Sequence, residues 1–167
     1  LIRAENTRSA ALVTDDDLAS PDRSLRRAAA RALARILDPS ARDRLLSALA
    51  DEDPEVISWA AYGLGQLCDG NVDRISKALV LRSASYQSEK PAPSGRLDPN
   101  FAISRALGAC SGPLAEKSLT AWLDVAASGP ALALGDLASR NKRLEEESAA
   151  ALLKFAAGDA SHDPLSE

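Results

Sequence analysis

Apolar residues recur along this chain at the spacing of a helix with one buried face. In 54–68, Val56, Ala60, Gly63, Leu64 and Leu67 follow the i, i+4, i+7, i+8, i+11 rule. A small residue, a leucine and a second small residue repeat as Ala32-Leu33-Ala34, Gly63-Leu64-Gly65, Ala106-Leu107-Gly108 and Ala133-Leu134-Gly135. The first two copies sit in longer matching text, where Leu25, Ala29, Leu33 and Ile36 align with Val56, Ala60, Leu64 and Leu67 at a constant offset of 31. A fixed period of roughly 20–50 residues is the mark of a solenoid. Second stripes follow each copy: Leu45, Leu46 and Leu49, then Ile75, Leu79 and Leu81, then Leu114, Leu119 and Leu123. Small residues beside the central leucine predict close helix–helix approach at Gly65, Gly108 and Gly135, because glycine in mid-helix is otherwise costly.

Proline and its neighbours set the boundaries. Ser20-Pro21, Asp38-Pro39, Asp53-Pro54 and Asp98-Pro99 each place a capping oxygen before a residue suited to the first helical position. Gly112-Pro113 and Gly129-Pro130 read as one helix stopping and the next starting. Helices are predicted near 1–13, 21–36, 39–50, 54–68, 71–84, 99–110, 113–127, 130–140 and 144–157. Short connections make them antiparallel neighbours. No stretch alternates as a half-buried strand would. The expected fold is all-α, an α-α superhelix of about four helical hairpins in a single domain over 1–157. Its units lie near 20–50, 53–86, 98–127 and 130–157, and a polar tail or linker follows at 158–167.

The text of units one and two resembles HEAT repeats, most closely the short bacterial type also seen in phycobilisome lyases. The resemblance rests on 18–33, Leu-Ala-Ser-Pro-Asp-Arg-Ser-Leu-Arg-Arg-Ala-Ala-Ala-Arg-Ala-Leu, and on Leu49 to Gly65, which carries Asp53-Pro54, Val56, Ala60 and Leu64. It implies a superhelix that usually binds proteins, and it implies no activity. In that family a turn aspartate and an arginine after the first aliphatic residue form a polar ladder between repeats. Asp22 and Arg26 match both positions, whereas Ile57 stands where unit two would need the arginine.

Composition supports helices and narrows the function. The chain of 167 residues is rich in Ala and Leu, 4% aromatic and without Met. With Leu1 first and no Met anywhere, a fragment or a processed mature form is expected. The net charge of −4 argues against a general grip on nucleic acid or an anionic membrane, and no run approaches the roughly 18 apolar residues of a membrane span. The expected compartment is the cytoplasm unless a signal peptide was removed.

Chemistry-bearing residues are sparse. Cys110 falls at the core register of Ile36 and Leu67, and both it and Cys68 read as small buried hydrophobes rather than a disulfide or a nucleophile. His162 lies in the polar tail without a partner for a metal site or triad. Glu145-Glu146-Glu147 and Asp15-Asp16-Asp17 read as acids at helix starts, favoured by the helix dipole. No catalytic, cofactor-binding or metal residue is assigned, and no cofactor is expected.

Candidate contacts are therefore those of a binding surface. Arg27, Arg31 and Arg35 share one helix face, and 20–44 holds seven arginines against three acids. On second helices Arg42, Arg44, Arg74, Lys77 and Arg82 are candidates, with Lys117 further on. Such helices usually line the concave side of a solenoid. Trp59 sits beside the apolar stripe, and Tyr62 lies further from it, toward solvent. The insertion Tyr86–Leu97, rich in Pro and Ser, is either a partner-contacting loop or a surface loop without a role. The leading reading is a non-catalytic scaffold for a protein or peptide partner, an acidic one if the arginines form a patch. The alternatives are an accessory domain of a larger enzyme, a lyase-type subunit, or, less favoured, a nucleic-acid-binding protein.

Overall fold

A computed structural model describes residues 1–88, 98–124, 128–141 and 143–159. The helices are α1 (Ile2–Thr7), α2 (Asp15–Leu18), α3 (Arg23–Ile36), α4 (Arg42–Ala48), α5 (Pro54–Gln66), α6 (Val72–Ser88), α7 (Pro99–Cys110), α8 (Pro113–Trp122), α9 (Ser128–Asn141) and α10 (Glu146–Asp159). Single 3-10 turns occupy Ala10–Leu12 and Pro39–Ala41. No strand occurs among the described residues. The helices pair as α3/α4, α5/α6, α7/α8 and α9/α10, and the first members lie side by side in one layer, α3 on α5, α5 on α7, α7 on α9. The fold is the all-α HEAT-like stack that the periodicity predicts.

Caps explain most boundaries. Asp22, Asp38, Asp53 and Asp98 accept backbone N–H groups from Ser24, Ser40, Glu55 and Asn100 at 2.8–3.0 Å, which satisfies donors that a helix start leaves unpaired. Pro39, Pro54, Pro99 and Pro113 open their elements as expected. Pro21 does not, because Asp22 is the cap and α3 starts at Arg23. Pro130 sits in the first turn of α9, which begins at Ser128. The single helix expected over 1–13 is broken where Arg8 turns left-handed, φ 51°. Thr14 and Asp17 then close a capping box on α2, so the three aspartates lie inside its first turn rather than ahead of it.

The core is one continuous seam. Leu33, Leu64, Leu107 and Leu134, the central leucines of the four copies, are fully buried, as are Leu45, Ile75, Leu79, Ile103 and Leu119. Leu81 and Leu114 are instead 62% and 39% exposed. Leu81 follows Leu79 by two residues, roughly 200° around the helix, and so points away from the stripe.

Small residues interlock the first layer in a regular way. The residue after one central leucine meets the residue before the next. A Cβ on Gly63 would lie 3.0 Å from Ala34 Cα, one on Gly65 2.8 Å from Ala106 Cα, and one on Gly108 2.8 Å from Ala133 O. Gly135 departs from the expectation: nothing lies within 4 Å of its missing Cβ. It follows the central leucine of α9, the last first-layer helix described, so no later helix faces it.

The cysteines also depart from the sequence reading. Cys68 and Cys110 form a disulfide, with Cα atoms 5.2 Å apart, and leave no free thiol. Cys110 stands three residues after Leu107, the core register that Leu67 holds after Leu64, whereas Cys68 stands one residue further along its own copy. α5 and α7 pack side by side, and Cys68 just beyond the end of α5 meets Cys110, the last residue of α7.

Candidate binding groove

The first-helix layer carries a groove of about 570 Å³. Its lining comes from four neighbouring helices of that layer, α3, α5, α7 and α9. The residue two positions after each central leucine takes part: Arg35, Gln66, Ala109 and Asp136. So do Tyr62 and Arg105, two positions before theirs, with Trp59, Phe101 and Arg140 completing the rim. Repetition of one helical register therefore builds a continuous surface from side chains that share no local sequence.

Aromatic rings dominate the apolar part. Trp59 and Tyr62 stack edge to face, with centroids 6.1 Å apart and planes at 89°. Tyr62 and Phe101 are 48% and 42% exposed. Trp59 is half-buried and packs on the core while it also lines the groove. Guanidinium groups surround them. Arg35 Nη1 reaches Glu5 at 2.9 Å, Arg105 Nη1 reaches Asp136 at 2.7 Å, and Arg140 Nη1 donates to Ala109 O at 3.1 Å. All three arginines remain well exposed, and each guanidinium has donors beyond the one so used.

The other arginines singled out from the sequence make contacts within the chain. Arg27 holds Asp53 by two bonds, Nε to Oδ1 at 2.9 Å and Nη2 to Oδ2 at 2.6 Å. Burial pushes the Asp53 carboxyl up, but the Arg27 bonds and the Val56 and Glu55 amides outweigh that and leave it below its ordinary value. Arg31 shares Glu5 with Arg35. Arg42 donates to Leu67 O and Asp69 O beyond the end of α5. Arg44 donates to the carbonyls of Ala10 and Val13, and Arg82 to Asp51 O. Arg74 pairs with Asp43 at 2.8 Å on the surface, and Lys77 and Lys117 are exposed on α6 and α8. The second-helix candidates thus spread over repeat junctions and solvent faces. Among the described candidate contacts, Arg35, Trp59 and Tyr62 meet in the groove.

The polar ladder also differs from the expectation. Arg26 bonds Asp51 (Nε to Oδ2 2.8 Å) and Ser20 O rather than the turn aspartate, and its neighbour Arg27 takes Asp53. In the insertion, residues 89–97 lie outside the described residues, as does His162 in the tail. Among the described residues no group of three His, Cys, Asp or Glu could hold a metal, and no helix is long and apolar enough to cross a membrane.

Phe101, Arg105, Asp136 and Arg140 were not foreseen. The signal was available for two of them. Arg105 stands two residues before Leu107 as Tyr62 does before Leu64, and Asp136 stands two after Leu134 as Arg35 does after Leu33.

Comparison with known families bears on residues 16–86, which match the profile of HEAT repeats. No curated protein matches the chain.

Proposed function

From the premise that residues 16–86 of this chain are HEAT repeats, we propose that it is a non-catalytic binding module for a protein or peptide partner. HEAT repeats are generally scaffolds for protein interaction. The observation that carries the reading here is the open aromatic groove. Tyr and Trp supply large contact area at small entropic cost and are favoured at binding hot spots. Its walls come from a layer locked by glycine–alanine contacts, so little ordering would accompany binding. We place the single helical domain over 1–157, with hairpin units near 20–50, 53–86, 98–127 and 130–157.

The disulfide supports an oxidising compartment, because cytosolic thiols are ordinarily kept reduced. That favours export over the cytoplasm expected from sequence.

Selection of displayed random peptides against the whole chain tests the function. Peptides that bind at micromolar concentration, and bind the Tyr62→Ala/Phe101→Ala variant about tenfold more weakly, are expected. Failure to enrich any binder would overturn the module reading.

A further inference from the structure

We propose that the groove takes an extended acidic peptide segment carrying an aromatic or large aliphatic anchor. The proposal rests on the peptide-binding reading above and adds the site and the chemistry.

The anchor follows from the floor and walls. Ala102, Ala106 and Ala109 leave depth between Tyr62 on α5 and Phe101 on α7, and two exposed rings face water until a side chain covers them. The volume of about 570 Å³ falls in the range of roughly 300–1,000 Å³ that clefts use for ligands. Edge-to-face or offset contact with these rings adds to the gain from area burial.

The acidity follows from the rim. Three guanidinium groups border the groove against one carboxylate, Asp136, in a chain whose net charge is −4. Glu5 and Asp136 occupy one nitrogen each on Arg35 and Arg105. The remaining donors suit carboxylates, which pair with arginine in planar, two-point fashion. Arginine beside aromatic rings would also suit a single-stranded nucleic acid, whose bases stack on such rings. Asp136, Glu5 and the overall charge oppose any anion, and a phosphate backbone charged at every nucleotide more than a peptide whose acids can be spaced to meet the arginines, so the peptide is favoured.

Trp59 provides the readout. In the full disulfide-bonded chain, Trp122→Phe leaves Trp59 as the sole indole. The probes are synthetic Asp/Glu-rich peptides with a central Phe-Leu pair, the same peptides with Ala for the pair, the same with Lys for the acids, and oligo-deoxythymidine. Saturable change in Trp59 emission is expected with the anchored acidic peptide, at least about tenfold weaker for the Ala and Lys versions. Arg35→Glu/Arg105→Glu should weaken the acidic peptide by a similar factor and admit the Lys version. Equal binding of acidic and basic peptides would overturn the charge assignment. Tighter binding of the oligonucleotide would overturn the peptide as occupant. Display-selected peptides that bind without changing Trp59 would overturn the groove as the site and leave the module reading intact. If neither selected nor designed peptides bind, both fall.

Discussion

Arg27 and Asp53 join two repeats through one carboxylate that also starts a helix. Both Asp53 oxygens are held by the Arg27 fork, at 2.9 and 2.6 Å, while Oδ1 also accepts the Glu55 amide at 3.0 Å. Asp53 is 7% exposed, so the pair locks the N-terminal half of α3 to the first turn of α5.

Replacement of Asp53 therefore removes a cap and an inter-repeat bond together. Asp53→Ala should cost about 2 kcal/mol, from a cap of about 1 and a charged hydrogen bond of similar size. Asp53→Asn keeps a capping oxygen and loses the charge. The folded carboxyl titrates below its ordinary value of 3.8, so its stabilisation is complete above that value and is lost as pH falls through the lower, folded value. Urea unfolding of wild type and Asp53→Asn should differ at pH 6 and converge as the pH drops below about 4. A difference independent of pH would refute the role.

Glycine separates the repeats by position in the array. Gly65→Ala would set a methyl 2.8 Å from Ala106 Cα; backbone cannot yield cheaply, and a loss of about 1–3 kcal/mol is expected. Gly135→Ala meets nothing within 4 Å and relieves the cost of glycine inside a helix, a gain of about 0.5–1 kcal/mol. Thermal unfolding of the two variants should move in opposite directions.

The helices, their stacking and the buried central leucines were legible because one offset of 31 carries a 3.6-residue stripe through two units. The groove was not, because its residues flank that stripe and vary in chemistry from copy to copy: Arg35, Gln66, Ala109 and Asp136 share a register and nothing else. The arginine stripe of α3 misled for a related reason. Spacing placed Arg27, Arg31 and Arg35 on one face, but their partners Asp53 and Glu5 come from other elements, and pairing across elements leaves no trace in local periodicity. The disulfide was missed because a buried cysteine reads alike whether bonded or free, and Cys68 and Cys110 stand one residue apart in register, so the repeat does not pair them.

Arg42 illustrates how a candidate contact serves the fold. Its Nε and Nη2 donate to Leu67 O and Asp69 O at 2.8 and 3.1 Å, where α5 ends and carbonyls lack helical partners. Arg42→Ala should cost about 1 kcal/mol. Arg42→Lys should recover less than half, since an ammonium lacks the fork that spans two carbonyls. Full rescue by lysine in a denaturant titration would show that charge alone matters there.

The Cys68–Cys110 bond should matter both for stability and for the groove. It closes a chain segment of 42 residues between the ends of α5 and α7, and the loop-entropy relation gives about 4 kcal/mol for that length. The same two helices supply Tyr62, Phe101 and Arg105 to the groove, so the bond also holds its walls in place. Cys68→Ser/Cys110→Ser should unfold at lower urea concentration than the oxidised chain. Both sites are buried, so a mild thiol reductant should leave the native chain oxidised until denaturant opens it. A free-thiol assay with and without urea reads this directly. Quantitative thiol labelling of the folded chain would show that the bridge does not form. Where it does form, groove-binding peptides should bind the serine variant more weakly at temperatures where it remains folded, because the separation of α5 and α7 is then free to vary.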